Sequence, residues 1–85
     1  MSEELILKEL AKHPNIRQFD FFHNMGLAYY QKRRYPEGGK WLQKALQVPN
    51  TKNEHYKVYN LLGAVYDDMK RYDEAIANYT KCIEL

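Results

Sequence analysis

Apolar residues recur along this chain three or four positions apart, in successive runs broken by turn residues, which is the spacing of amphipathic helices. The first run is Leu5, Ile6, Leu7 and Leu10. Ser2 is placed to cap it, and Glu3 and Glu4 fall in the first turn, where the helix dipole favours anions. His13-Pro14 closes it, so the pattern predicts a helix over 2–13 that covers the helices after it. The second run is Ile16, Phe19, Phe22, Met25, Gly26 and Tyr29, reaching to about Arg33, with Asn15 and Gln18 in a capping-box arrangement. Tyr35-Pro36 opens the third, with proline where a helix tolerates it best. It carries Leu42, Ala45, Leu46 and Val48 inward and stops at Pro49-Asn50, while Trp41, one residue before Leu42, is expected to point partly outward.

Thr51-Lys52-Asn53-Glu54 reads as a second capping box, so the fourth helix is expected to begin about a turn before Tyr56. Its stripe is Tyr56, Tyr59, Leu62, Gly63 and Tyr66. After a turn at Lys70-Arg71-Tyr72, Asp73 is the expected cap of a last helix carrying Ala75, Ile76, Tyr79, Cys82 and Ile83.

These runs repeat. Phe22-His23-Asn24-Met25-Gly26-Leu27-Ala28-Tyr29 returns as Tyr59-Asn60-Leu61-Leu62-Gly63-Ala64-Val65-Tyr66, an offset of 63 − 26 = 37. At the same offset Arg34-Tyr35 returns as Arg71-Tyr72, Glu37 as Glu74 and Lys44 as Lys81. A glycine inside a helix costs about 1 kcal/mol against alanine. That Gly26 returns as Gly63 argues that each lets a neighbouring helix come close.

The pattern aromatic-x2-Leu-Gly-x2-Tyr, followed by a small residue, a large apolar residue and alanine, resembles the tetratricopeptide repeat, a helix–turn–helix unit. One copy is carried by Phe22, Met25, Gly26, Tyr29, Gly38, Leu42 and Ala45, and the other by Tyr59, Leu62, Gly63, Tyr66, Ala75, Tyr79 and Cys82. The chain departs from the family in its 37-residue spacing, in Gly38-Gly39 where alanine is usual, and in the early Pro49. The resemblance implies an all-α fold, an α-solenoid of antiparallel helix pairs, in one domain over 1–85. A first unit over 15–50 and a second over 51–85 come after the N-terminal helix. It also implies a concave face, lined by the first helix of each unit, that holds an extended peptide or a partner's helix. Carried onto this chain, the first unit offers Asp20, His23, Asn24, Leu27, Tyr30 and Gln31 to that groove, and the second offers Lys57, Asn60, Ala64, Asp67 and Asp68. The lysine-and-asparagine clamp with which some members hold a C-terminal carboxylate is not reproduced, and Asp67 and Asp68 would repel that ligand.

Composition narrows the remaining classes. A hydrophobic share of 45% argues against disorder, and a net charge of +2 is too small to point to nucleic acid or an anionic membrane. No apolar run is long enough to span a bilayer, the acidic start does not suit a signal peptide, and the single cysteine suits a reducing compartment. The expected location is the cytoplasm.

Candidate chemistry is thin. His13, His23 and His55 fall in different elements with no metal-ligand or phosphate-loop spacing, and Asp20 with His23 lacks a third group to orient the imidazole. Cys82 stands at a helix-pair contact and reads as structural. Lys32-Arg33-Arg34, with Lys40 and Lys44, is the one basic cluster, and it reads as a solvated turn. Helical repeats of the pentatricopeptide type bind RNA, but the Gly-x2-Tyr pattern fits the protein-binding relatives better. No enzyme, metal or cofactor is expected.

About three units are the usual minimum for such a solenoid. A last helix without a cover is expected to leave Ile76, Tyr79 and Ile83 partly bare. Together with Leu5, Leu10 and Trp41 they form the expected self-association surface. The sequence thus predicts a non-enzymatic module that binds a protein or peptide and forms homo-oligomers. The alternatives are a purely structural self-assembling unit or an RNA-binding helical repeat.

Overall fold

The computed structural model describes residues 4, 5, 8, 15–49 and 54–85. Among them are four α-helices and no strand: α1 (Asn15–Gln31), α2 (Tyr35–Leu46), α3 (His55–Asp68) and α4 (Tyr72–Glu84). Residues 4, 5 and 8 are helical, and the remainder of the expected helix over 2–13, including Ser2 and Leu10, lies outside the described residues. So do Asn50, Thr51 to Asn53 of the second capping box, and the side chains of Asn15 and Ile16.

Helix α1 packs most closely on α2, and α3 on α4, so the chain makes two helical hairpins. The hairpins are joined chiefly through α2 and α3, while α1 touches α3 more lightly. The two turns are built alike. Arg33 and Lys70 each adopt the left-handed conformation, with φ of 61° and 62°. The Arg34 N–H reaches back to the Tyr29 carbonyl at 2.9 Å and the Arg33 N–H to Tyr30 at 2.9 Å. In the second hairpin the Arg71 N–H bonds Tyr66 at 2.8 Å and the Lys70 N–H bonds Asp67 at 2.9 Å. This is the paired closure of a Schellman motif, which satisfies carbonyls that the helix end would leave open.

Each turn then starts the next helix at once. The carbonyls of Arg34 and Arg71 accept the Gly38 and Ala75 N–H groups at 3.0 Å. Their side chains are held in matching ways: Arg34 Nε lies 2.6 Å from Glu37 and its guanidinium over the Tyr29 ring. Arg71 Nε lies 2.6 Å from Glu74, with its guanidinium over Tyr66. Exposed pairs of this kind contribute about 0–1 kcal/mol each, so their larger effect is to fix the turn's shape. The recurrence of Arg, Tyr and Glu at an offset of 37 is the sequence trace of this geometry.

The core is one cluster of Phe19, Phe22, Trp41, Leu42, Ala45, Val48, Val58, Leu61, Leu62 and Val65, all from the first hairpin and α3. Helix α4 buries only Ala75. The chain therefore has a well-packed body of α1, α2 and α3, with α4 laid along its edge.

Five expectations are corrected. Trp41 does not point outward: it is 4% exposed, edge-on to Phe21 at 5.9 Å and tilted against Phe22 at 5.8 Å. The buried stripe of α2 is Gly38, Trp41, Leu42 and Ala45, so both the three- and four-residue steps face α1, where adjacent phenylalanines meet the indole. Helix α2 ends at Leu46 rather than at Pro49; Val48 is still buried, beyond the helix end. Asp73 does not cap α4, because Arg71 closes one turn and begins the next helix, placing Asp73 and Glu74 in the first turn. Helix α3 begins at His55, directly after Glu54, and not a turn before Tyr56. Its inward residues are Val58, Leu61, Leu62, Gly63 and Val65, whereas Tyr56 is exposed. As the helix packed by both α2 and α4, α3 buries a wider arc than one stripe.

Candidate functional site

The expected groove residues lie on α1 and α3, two helices in light contact with each other. On α1, Asp20, Asn24 and Gln31 are exposed, His23 is half-buried, and Leu27 and Tyr30 are half-buried against the core. On α3, Lys57, Asn60, Asp67 and Asp68 are exposed and Ala64 is half-buried.

Two links cross from one helix to the other. At one end the Tyr30 hydroxyl donates to the Asp68 carboxylate. That hydrogen bond, then burial, then the Asp68 charge push the phenol above the ordinary tyrosine value of 10.0. Tyr79 of α4 belongs to the same cluster: burial first, then the charges of Asp67 and Asp68, raise its pKa as well. At the other end Lys57 is paired with Glu54, whose hydrogen bond and charge are the main causes of its raised pKa. Asp20 on α1 adds the smallest contribution of the same sign, so its charge is felt at Lys57 from the neighbouring hairpin. Among the expected groove residues, all of them described, the carboxylates of Asp20, Asp67 and Asp68 stand against one cation, Lys57, which is paired with Glu54.

In the sequence Tyr79 reads as a self-association residue, one of the apolar positions that a last helix without a cover is expected to leave partly bare. The structure sets it where the charges of Asp67 and Asp68 act on its phenol, and a pattern of apolar positions has no means of signalling that. His55 supplies a second feature the sequence does not reveal. Its Nε2 donates to the Val48 carbonyl at 2.9 Å and its ring lies 5.4 Å from Phe19, tying the start of α3 to the first hairpin.

The expected self-association residues are scattered more widely. Ile76 and Ile83 are 63% and 85% exposed on α4, Leu5 is exposed, Tyr79 is half-buried, and Leu10 lies outside the described residues. Trp41, being buried, is not available to a second molecule. Cys82 is half-buried.

Among the described residues no group of His, Cys, Asp and Glu is placed to hold a metal ion, and no helix is long and apolar enough to cross a membrane. No curated protein matches the chain, and no solved structure does. The family model described as tetratricopeptide repeat matches residues 18–85, which take in both turns, both hairpin cores and the whole of the α1–α3 surface from Asp20 onward. With most of its length matched, the chain belongs to the tetratricopeptide repeat family, a class of non-catalytic helical repeats typical of protein–protein interaction scaffolds.

Proposed function

We propose that the chain binds a basic peptide or a basic amphipathic helix along the α1–α3 groove. The observation that carries this reading is the charge of the residues expected there: Asp20, Asp67 and Asp68 are all exposed, and the one lysine among them, Lys57, is paired with Glu54. A cationic partner would meet complementary potential there, whereas a C-terminal carboxylate would be repelled. Tyr30, Asn60 and His23 supply adaptable hydrogen-bonding groups between the acids. Binding of a labelled peptide of alternating lysine and leucine tests the reading. Asp67→Lys with Asp68→Lys should abolish it, Tyr30→Ala with Asn60→Ala should weaken it, and equal binding of all three proteins would refute it.

The same reading includes self-association through α4. Support comes from Ile76 and Ile83, two large apolar side chains left on a helix that buries only Ala75. A second copy laid against this face would remove them from water. Sedimentation should show a dimer that Ile76→Glu with Ile83→Glu converts to monomer. A wild-type protein that stays monomeric at tens of micromolar would remove this part of the proposal and leave the groove untouched.

A further inference from the structure

A cleft of about 770 Å³ lies beside α2, bordered by Tyr66 and Met69 from the end of α3 and by Arg71 at the second turn. None of the α1–α3 groove residues borders it. Its volume falls within the roughly 300–1,000 Å³ of ordinary ligand clefts. Gly39, Lys40 and Lys44 form its α2 side, and no carboxylate is among its lining residues. Arg71 is held by Glu74, but neither Lys40 nor Lys44 is paired with a carboxylate among the described residues. Within that part of the chain the two lysines are free cations on the wall of a concave surface.

Gly39 supplies an independent reason. A side chain at Gly26, Gly38 or Gly63 would meet neighbouring atoms, so packing accounts for each of those glycines. At Gly39 a Cβ would meet nothing within 4 Å. A glycine inside a helix weakens the helix, and nothing among the described residues asks for one here. Its counterpart at the repeat offset, 39 + 37 = 76, is isoleucine. What the missing side chain does is open the cleft, so that an incoming backbone can approach α2 closely.

We infer that this cleft is a second docking site, for an acidic peptide segment of a partner protein, with Lys40 and Lys44 meeting its carboxylates, Tyr66 and Met69 its apolar side chains, and Gly39 its backbone. An extended segment with alternating acidic and apolar residues satisfies all three. The site is separate from the α1–α3 groove in both residues and sign of charge, so either can fail without the other.

The test is fluorescence anisotropy with a labelled peptide of alternating glutamate and leucine, against the lysine–leucine peptide as control. The acidic peptide should bind, and binding should weaken as salt is raised. Lys40→Glu with Lys44→Glu should weaken it about tenfold or more, because like charges then face each other. Gly39→Leu should abolish it while raising the melting temperature, a combination that a misfolded variant cannot give. Asp67→Lys with Asp68→Lys should leave it unchanged. Failure of the acidic peptide to bind, binding indifferent to Gly39→Leu and the lysine reversals, or tighter binding of an oligouridylate than of the peptide would each overturn the inference.

Discussion

Replacing three glycines one at a time with alanine should give three different answers, because the fold uses each differently. A methyl group in a helix interior gains about 1 kcal/mol of helix propensity over glycine wherever it has room. At Gly39 it has room, with nothing within 4 Å, so Gly39→Ala should stabilise the protein by nearly that amount. At Gly26 the added carbon would sit 2.5 Å from Leu42 Cδ2 and 3.3 Å from the Gly38 carbonyl oxygen. Leu42 is 0% exposed and has no direction in which to retreat. Overpacking of that kind costs about 1–3 kcal/mol, and the added carbon also forces α1 away from α2, so the propensity gain is outweighed. We expect a net loss of about 1–2 kcal/mol. Gly63 lies between the two. Its new carbon would meet the Tyr79 ring at 2.6 Å, but that ring is half-exposed on a helix that buries only Ala75, and it can swing outward. There the two effects should nearly cancel.

For a domain of this size each kcal/mol moves the melting temperature by about 4–8 °C, so the spread between Gly39→Ala and Gly26→Ala should exceed ten degrees or so. Thermal melts followed by circular dichroism read it directly. Gly26→Ala melting at or above the wild type would refute the claim that the first hairpin closes on a glycine. Gly39→Ala melting below the wild type would refute the claim that this position is empty.

Trp41→Ala should cost about 3–5 kcal/mol, the range for deleting a buried aromatic, and wild-type tryptophan emission should be blue-shifted; emission like that of free indole would contradict its burial. Lys70→Gly should stabilise by about 0.5–1 kcal/mol in chemical denaturation, because Lys70 holds a left-handed backbone that glycine adopts without strain. A loss of stability would show that the turn depends on the lysine side chain. The folded-state pKa of Tyr30 lies above its ordinary 10.0, so the stability it contributes is fully present below that pH and is lost as pH rises through the higher folded value. Tyr30→Phe should therefore flatten the alkaline loss of stability, and an unchanged pH profile would contradict the hydrogen bond to Asp68.

The helix periods and the 37-residue offset make the hairpins legible, since aromatic, glycine and tyrosine positions mark where each pair must touch. What they do not carry is breadth. Trp41 lies one residue from Leu42 on the same helix, and a single stripe leaves it to solvent, although α2 turns both toward the adjacent Phe21 and Phe22. The turn geometry is hidden for a different reason: its left-handed residues are Arg33 and Lys70, not the glycine or asparagine that usually announces such a cap. The proposed groove is half legible. The resemblance names candidate residues for it on α1 and α3, but only the folded structure sets Tyr30 beside Asp68 and brings the charges of Asp67 and Asp68 to bear on Tyr79.

Amide chemical-shift mapping during titration with the lysine–leucine peptide tests the central claim most directly, since it reports which surface the ligand occupies. The expected shifts are concentrated at Asp20, Asn24, Tyr30, Asn60, Asp67 and Asp68, with Lys40 and Lys44 unmoved. Shifts confined to α2, spread over the whole chain or absent at saturating peptide would contradict it.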